Sequence, residues 1–185
     1  MDILNVIFSR RSIRKYQERR IEREILISLL QAAMAAPTAA NARPWEFVVV
    51  DGPENLLQLK AVLPFGQYNA PAAIVVCGNP DIGSNTAGRF YWVQDCSAAL
   101  ENMLIAAAGM DLGSVWIGVY PLESRVKSVR SVLNMPENVT PLGVMYVGYP
   151  AEQKEARTQY DDHRVYWQVY KARKRRAKEK NAKHK

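Results

Sequence analysis

Histidine and cysteine are scarce in this 185-residue chain, with two of each. Cys77 closes an apolar run and Cys96 lies in a helix-like one, far apart in sequence. They read as small core residues rather than a disulfide or metal pair. His163 and His184 leave little for a metal site, and none is expected. No Ser/His/Asp arrangement, reactive cysteine setting or carboxylate pair forces a hydrolytic reading. No apolar run approaches the ~20 residues of a membrane-spanning helix. Met1-Asp2-Ile3-Leu4-Asn5 has neither the charged start nor the apolar run of a signal peptide. There is no G-x-G-x-x-G and so no sign of a Rossmann nicotinamide site. A reducing cytoplasm and no membrane partner are the expectation.

What the chain does contain is apolar surface. At 48% hydrophobic residues it can bury a sizeable core as one domain. The net charge of +7 misleads. Residues 171–185 carry nine Lys/Arg and one Glu, a net of +8, so residues 1–170 stand at −1. The division is therefore a domain over 1–170 and a basic extension over 171–185. That extension has no interleaved aromatics and no base-reading motif, so nucleic-acid recognition is not expected. It reads as a solvated helical extension or frayed end.

Periodicity predicts helices at Asp2–Ser9, Glu22–Ala36, Glu54–Val62, Arg89–Met110 and Glu123–Leu133. Strand-like runs occupy Trp45–Asp51, 72–77, Val115–Val119 and Thr140–Tyr149. Residues 64–71 and 78–88 read as loops, the second mobile. Asp161 or Asp162 could cap a last helix from Arg164 to about Lys180. With about four strands, no repeat and no linker, the class is a single α+β domain.

The stretch that organises the rest is Arg10-Arg11-Ser12-Ile13-Arg14-Lys15-Tyr16. Three arginines, a lysine and a serine hydroxyl supply donors, and guanidinium forks suit phosphate or a heterocycle edge. Read alone, it is a solvated basic turn after a short helix, with Arg14 paired to Glu18 on the surface. A second stretch, Pro37-Thr38-Ala39-Ala40-Asn41-Ala42-Arg43-Pro44-Trp45, leads into a strand. A third block runs from Asp95 to Ala107 and continues into Leu112-Gly113-Ser114-Val115-Trp116-Ile117-Gly118. In order and spacing these three blocks resemble the FMN-dependent nitroreductase family.

The resemblance implies a nitroreductase-like α+β sandwich, with a central, mostly antiparallel sheet flanked by helices in an intertwined homodimer. Its cofactor would be FMN, bound at the dimer interface. NAD(P)H would be the co-substrate, and a small-molecule electron acceptor such as a nitroaromatic or quinone would follow it in a ping-pong cycle. No side chain would be catalytic in its own right, because the flavin carries the chemistry. By resemblance Arg10 would meet the phosphate, Arg11 and Ser12 the ribityl or pyrimidine atoms, and Arg14 the N1/O2 edge, where a cation stabilises the reduced ring. Pro37, Thr38, Ala39 and Asn41 would line the flavin from the partner subunit, with Thr38 in place of the more usual Ser. The backbone N–H groups of Ile117 and Gly118 would approach N5 and O4, and Gly118 would leave room for the ring edge. Arg157 or Arg164 would close the phosphate site, with Arg157 favoured. Gln67 and Asn69 stand as candidate ribityl or substrate contacts. Trp45 and Trp116 read as core aromatics. Phe90, Tyr91 and Trp92 would either form a lid or anchor the long helix.

Two other readings stand beside this one. A related chemistry, reductive dehalogenation or flavin fragmentation, usually needs an added lid, and residues 78–92 are short for that. A reading of another class assigns the chain to nucleic-acid or acidic-surface binding through residues 171–185.

Overall fold

A computed structural model describes residues 2–63 and 65–170. Nine helices and strands alternate along them. They are α1 (Ile3–Ser9), α2 (Arg23–Met34), β1 (Trp45–Val50), α3 (Pro53–Ala61), β2 (Ala72–Gly78), α4 (Ala87–Gly109), β3 (Gly113–Gly118), α5 (Glu123–Val132) and β4 (Thr140–Gly148). One-turn 3-10 helices occur at Ala39–Asn41 and Asp162–Arg164. The four strands form one antiparallel sheet in the order β1-β2-β4-β3.

The continuous apolar run of β2 is sorted by the period-2 alternation of a strand. Ala73, Val75 and Cys77 join a core with Leu56 and Leu59 of α3 and Val126 and Val129 of α5. Ala72, Ile74 and Val76 face a second core with Leu26 and Leu29 of α2 and Cys96, Leu100 and Met103 of α4. The sheet is therefore the middle of three layers, which explains why every residue of β2 is buried. The alanines of α4 let α2 approach closely, and Asn102 Nδ2 donates to the Ala32 carbonyl at 3.0 Å.

The expected loop after β2 is present and is tied to the preceding turn. Ser84, Asn85 and Asn79 tie it to residues 40–44. Trp92 also anchors α4, because its ring covers Gly78, where a Cβ would lie 2.2 Å from Trp92 Cε3. Tyr120 meets the same indole edge-on, with centroids 4.9 Å apart.

The last expected helix is corrected. Asp161 does cap a turn, accepting from the His163 N–H at 3.0 Å, but that turn ends at Arg164. Val165 is extended, at φ −109° and ψ 127°, and no helix follows it up to Tyr170. Helices of this length need an apolar face packed on a body. Here Trp167 (80% exposed) and Tyr170 (77%) lie away from this chain's core. The remainder of that expected helix, and the basic extension 171–185, lie outside the described residues.

Candidate functional site

The donor cluster is fixed from two sides. On one side it lies along the free edge of β3, where Ser12 bridges Ser114 and the Ile13 N–H donates to the Ser114 carbonyl at 2.9 Å. On the other, residues 149–157 run antiparallel to it. The Gln17 N–H meets Tyr149 O, Ala151 N–H meets Lys15 O, and Arg157 N–H meets Phe8 O. The Arg14 N–H donates to Glu152 Oε1 at 2.6 Å, and Arg11 Nη1 donates to the Glu155 carbonyl.

This pairing brings in a residue that the sequence analysis missed. Lys154 Nζ donates to the Ser12 carbonyl and lies 3.2 Å from Glu152 Oε1. It lines a cavity of about 430 Å³ together with Arg10, Arg11, Ser114 and Glu152. Nothing local in residues 152–163 marks Lys154; only the pairing with residues 8–17 does. Arg10 lies 3.6 Å from Glu101 of α4. The Arg14 guanidinium reaches only the Ser12 carbonyl, at 3.4 Å, and makes no pair with Glu18 among the described residues. It is exposed and available.

The second motif forms a tightly tied turn. Pro37 follows the end of α2, and Ala40, Asn41 and Arg43 take left-handed backbone conformations, with φ of 48°, 54° and 51°. Such conformations are costly for residues other than glycine and persist where surroundings over-determine them. Thr38 Oγ1 accepts from the Arg43 N–H at 3.2 Å. The carbonyls of Ala40, Asn41 and Ala42 take Asn85 Nδ2, Ser84 Oγ and the Ser84 N–H. The Ala39 N–H donates to Asp95 Oδ1. Among the described residues, the Asn41 side-chain amide and the Thr38 hydroxyl proton are among the groups this turn leaves for a ligand.

At Gly118 the alternation of an antiparallel ladder decides which backbone groups are free. The Ser114 and Gly118 carbonyls point off the open edge, to the Ile13 N–H and Arg125 Nη1, while the Val119 N–H points inward to Leu142 O. The Gly118 N–H thus faces the open edge and the Ile117 N–H faces β4. This corrects the expectation that both amides are available, because ladder bonding uses alternate residues. A Cβ built on Gly118 would meet nothing within 4 Å, so this chain's own packing does not require glycine there. The space off this edge is open, and the Gly118 amide faces it.

Other candidates have structural duties. Asn69 spends its amide on both backbone groups of Tyr16, accepting from the N–H at 3.0 Å and donating to the carbonyl at 2.6 Å. Gln67 Nε2 donates to the Lys60 carbonyl. Arg164 pairs with Asp161 at 3.2 Å, 85% exposed at its side chain. Phe90 and Tyr91 are exposed, and Trp45 is buried. Burial pushes the Cys77 thiol up to about 12 and raises that of Cys96, so both are inert core thiols.

The donor cluster and the turn do not meet within one chain. The turn leads into β1, and the cluster lies beyond β3, at the opposite edge of the sheet. At ~4.8 Å per strand, β1 and β3 are about 14 Å apart.

Comparison with known proteins agrees with these features. The sequence model of the Nitroreductase family matches residues 7–65 and 56–149. The chain belongs to the nitroreductase family. A "Putative NADH dehydrogenase/NAD(P)H nitroreductase" of Methanothermobacter thermautotrophicus is 44% identical over 168 residues, covering 90% of this chain and 86% of the relative. A protein of the same name from Archaeoglobus fulgidus is 44% identical over 170 residues, with 89% and 97% covered. Among solved structures, an FMN-dependent nitroreductase of Clostridium difficile superposes with a TM-score of 0.81 at 31% identity, covering 90% of this chain and 99% of that one. The α+β sandwich of this nitroreductase is thus the family fold, and the chain is an oxidoreductase of the NAD(P)H-dependent kind. No described helix is long and apolar enough to cross a membrane.

Proposed function

We propose that this nitroreductase is a homodimeric FMN enzyme that carries electrons from NAD(P)H to a small nitroaromatic, quinone or similar acceptor. The observation that carries the reading is the separation of the two motifs. Two copies in antiparallel arrangement would set the donor cluster of one against the 37–41 turn of the other, making two equivalent sites.

The residues fit the cofactor. Arg10, Lys154 and Arg157 supply cationic side chains for the phosphate, with Arg10 and Lys154 already beside the cavity. Arg11 and Ser12 would hold ribityl or pyrimidine atoms. Arg14, free of a carboxylate partner, would balance negative charge at the N1/O2 edge. Pro37, Thr38, Ala39 and Asn41 of the second copy would cover the ring, and the Gly118 N–H would orient it. FMN, when bound, would supply the hydride relay between the nicotinamide and the acceptor. Because both would use the open face in turn, the kinetics would be ping-pong. The buried, unpaired thiols suit a reducing cytoplasm.

The test is direct. Purified protein should be yellow, release FMN on denaturation, elute as a dimer and lose its flavin absorbance on adding NADPH or NADH. A colourless monomer that cannot be reconstituted with FMN would end the proposal.

A further inference from the structure

Asp95 lies on α4, nine residues into the helix, and is only 4% exposed. One carboxylate oxygen, Oδ1, accepts from the Ala39 N–H at 2.9 Å. The other, Oδ2, is buried without a hydrogen-bond partner. An acid in this position is expensive, since a buried carboxylate oxygen left unpaired loses its hydration for nothing in return. An apolar side chain would suit the neighbouring Cys96, Ala99 and Leu100, which belong to the core under the sheet. Some requirement other than packing therefore keeps a carboxylate here.

The Ala39 N–H shows what that requirement is. Ala39 opens the turn in which Ala40, Asn41 and Arg43 are left-handed. The 79–85 loop holds the carbonyl side of that turn through Ser84 and Asn85. Asp95 holds its amide side from the helix. A hydrogen bond to an ionised acceptor is shorter and roughly twice as strong as a neutral one, which is what a strained turn needs.

We propose that Asp95 is a positioning residue: its buried carboxylate holds the Ala39 amide and so keeps residues 38–43 in the shape that presents Thr38 and Asn41 to the flavin of the partner subunit's site. The inference rests on the reading of this turn as flavin-lining. It assigns α4 a role at the site through the turn that Asp95 holds. It also separates stability from function, because the group that preorganises the turn is a liability to the core. Leucine in its place removes the desolvation cost of the unpaired Oδ2.

The test uses two near-isosteric variants of the full chain. Asp95→Leu fills the space and removes the acceptor; Asp95→Asn keeps an oxygen acceptor and removes the charge. Three quantities are measured: thermal midpoint, amide exchange in the flavin-free protein, and the FMN dissociation constant. For Asp95→Leu the midpoint should equal or exceed that of the parent. Exchange at Ala39, Asn41 and Ala42 should rise about tenfold or more while α4 stays protected, and FMN should bind about tenfold more weakly or worse. Asp95→Asn should recover most of the affinity.

The proposal is overturned if folded Asp95→Leu binds FMN like the parent with unchanged exchange in the turn. It is equally overturned if Asp95→Leu loses protection throughout α4, or fails to fold, since Asp95 would then be a general core residue. Should Asp95→Asn keep the turn protected from exchange yet bind FMN as weakly as Asp95→Leu, the Ala39 latch would not be what serves the flavin, and the proposal would fall. If the parent itself binds no FMN, the flavin reading fails on its own, while exchange in the turn still reports whether the latch exists.

Discussion

Gly118 and Gly78 show how the same residue type answers to two different neighbours. At Gly118 a Cβ would meet nothing of this chain, whereas at Gly78 it would lie 2.2 Å from the Trp92 ring. Opposite outcomes are expected on adding a methyl group. Gly118→Ala should leave stability within about 0.5 kcal/mol, because the residue is extended and unobstructed. Its FMN affinity should fall about tenfold if the ring edge occupies that space. Thermal melts and FMN titration on the same sample check both halves, and unchanged affinity would place the ring elsewhere. Gly78→Ala should cost about 1–3 kcal/mol through over-packing against the indole, read by urea denaturation. Arg14 also belongs to this scale. Arg14→Gln should bind FMN but lower its midpoint potential, by removing the cation expected at N1/O2, while Arg14→Lys should keep most of that potential. Spectroelectrochemistry distinguishes the two. Gly118 and Arg14 stand as candidates from sequence because glycine and a donor cluster each leave a local mark. Lys154 leaves none, because its place beside the cluster comes from pairing with a segment about 140 residues away. Asp95 stood in a quoted motif, but its unsatisfied oxygen is visible only in three dimensions.

Among the elements, those whose pattern is set by burial on one or both faces were the easiest to foresee. The apolar run of β2 and the stripe of α2 both carry their surroundings in their spacing, and their observed ends differ from the expected ones by at most two residues. The described part of the segment after Asp161 is not helical because residues 165–170 are mostly β-branched and aromatic, and Trp167 and Tyr170 find no body of this chain to pack on. A different element, the link from residue 16 to 22, is held by polar contacts that no period announces. Tyr149 Oη donates to Glu22 Oε2 at 2.7 Å, Arg19 Nη2 lies 2.9 Å from Glu22 Oε1, and the Arg19 guanidinium sits 3.8 Å over the Tyr149 ring. The Tyr149 hydroxyl, helped by Arg19, lowers the Glu22 carboxyl from 4.5 to about 2. A depressed acid pKa contributes stability that is fully present above the unfolded value and fades as pH falls through the folded one. The contribution of Glu22 should therefore hold above about pH 4.5 and disappear towards pH 2. Because the group is exposed, the effect will be small and salt-sensitive. Glu22→Gln should flatten the corresponding part of the melting-temperature profile between those pH values, and a profile parallel to the parent's would show that the latch contributes nothing.

The molecule as a whole poses a problem that one copy cannot solve. Its cationic cluster and its strained turn flank opposite edges of the sheet, and apolar side chains that a monomer should bury lie open on α1 and beyond residue 155. Ile3, Leu4, Tyr160, Trp167 and Tyr170 are all exposed. Large apolar side chains exposed in this number are what a second copy would be expected to cover. For a chain of 20.9 kDa, light scattering should find a particle of twice that mass. Truncation tests which part of the chain makes it so. A version ending at Pro150 keeps all four strands, since β4 ends at Gly148, but loses most of the segment that pairs with the donor cluster and the aromatic segment after it. It should fold, bind FMN at least tenfold more weakly, and shift towards monomer at matched concentration. A version ending at Tyr170 loses only the basic extension and should keep dimer and flavin, because the residues that tie Ser12, Arg11 and Phe8 all lie before it. If the second truncation loses flavin as well, residues 171–185 complete the site. If it keeps flavin and loses only salt-sensitive binding to DNA, those residues serve a separate polyanion contact. If even the Pro150 version stays dimeric and yellow, the second copy docks without the C-terminal segment, and α1 with the sheet edge becomes the face that joins the two.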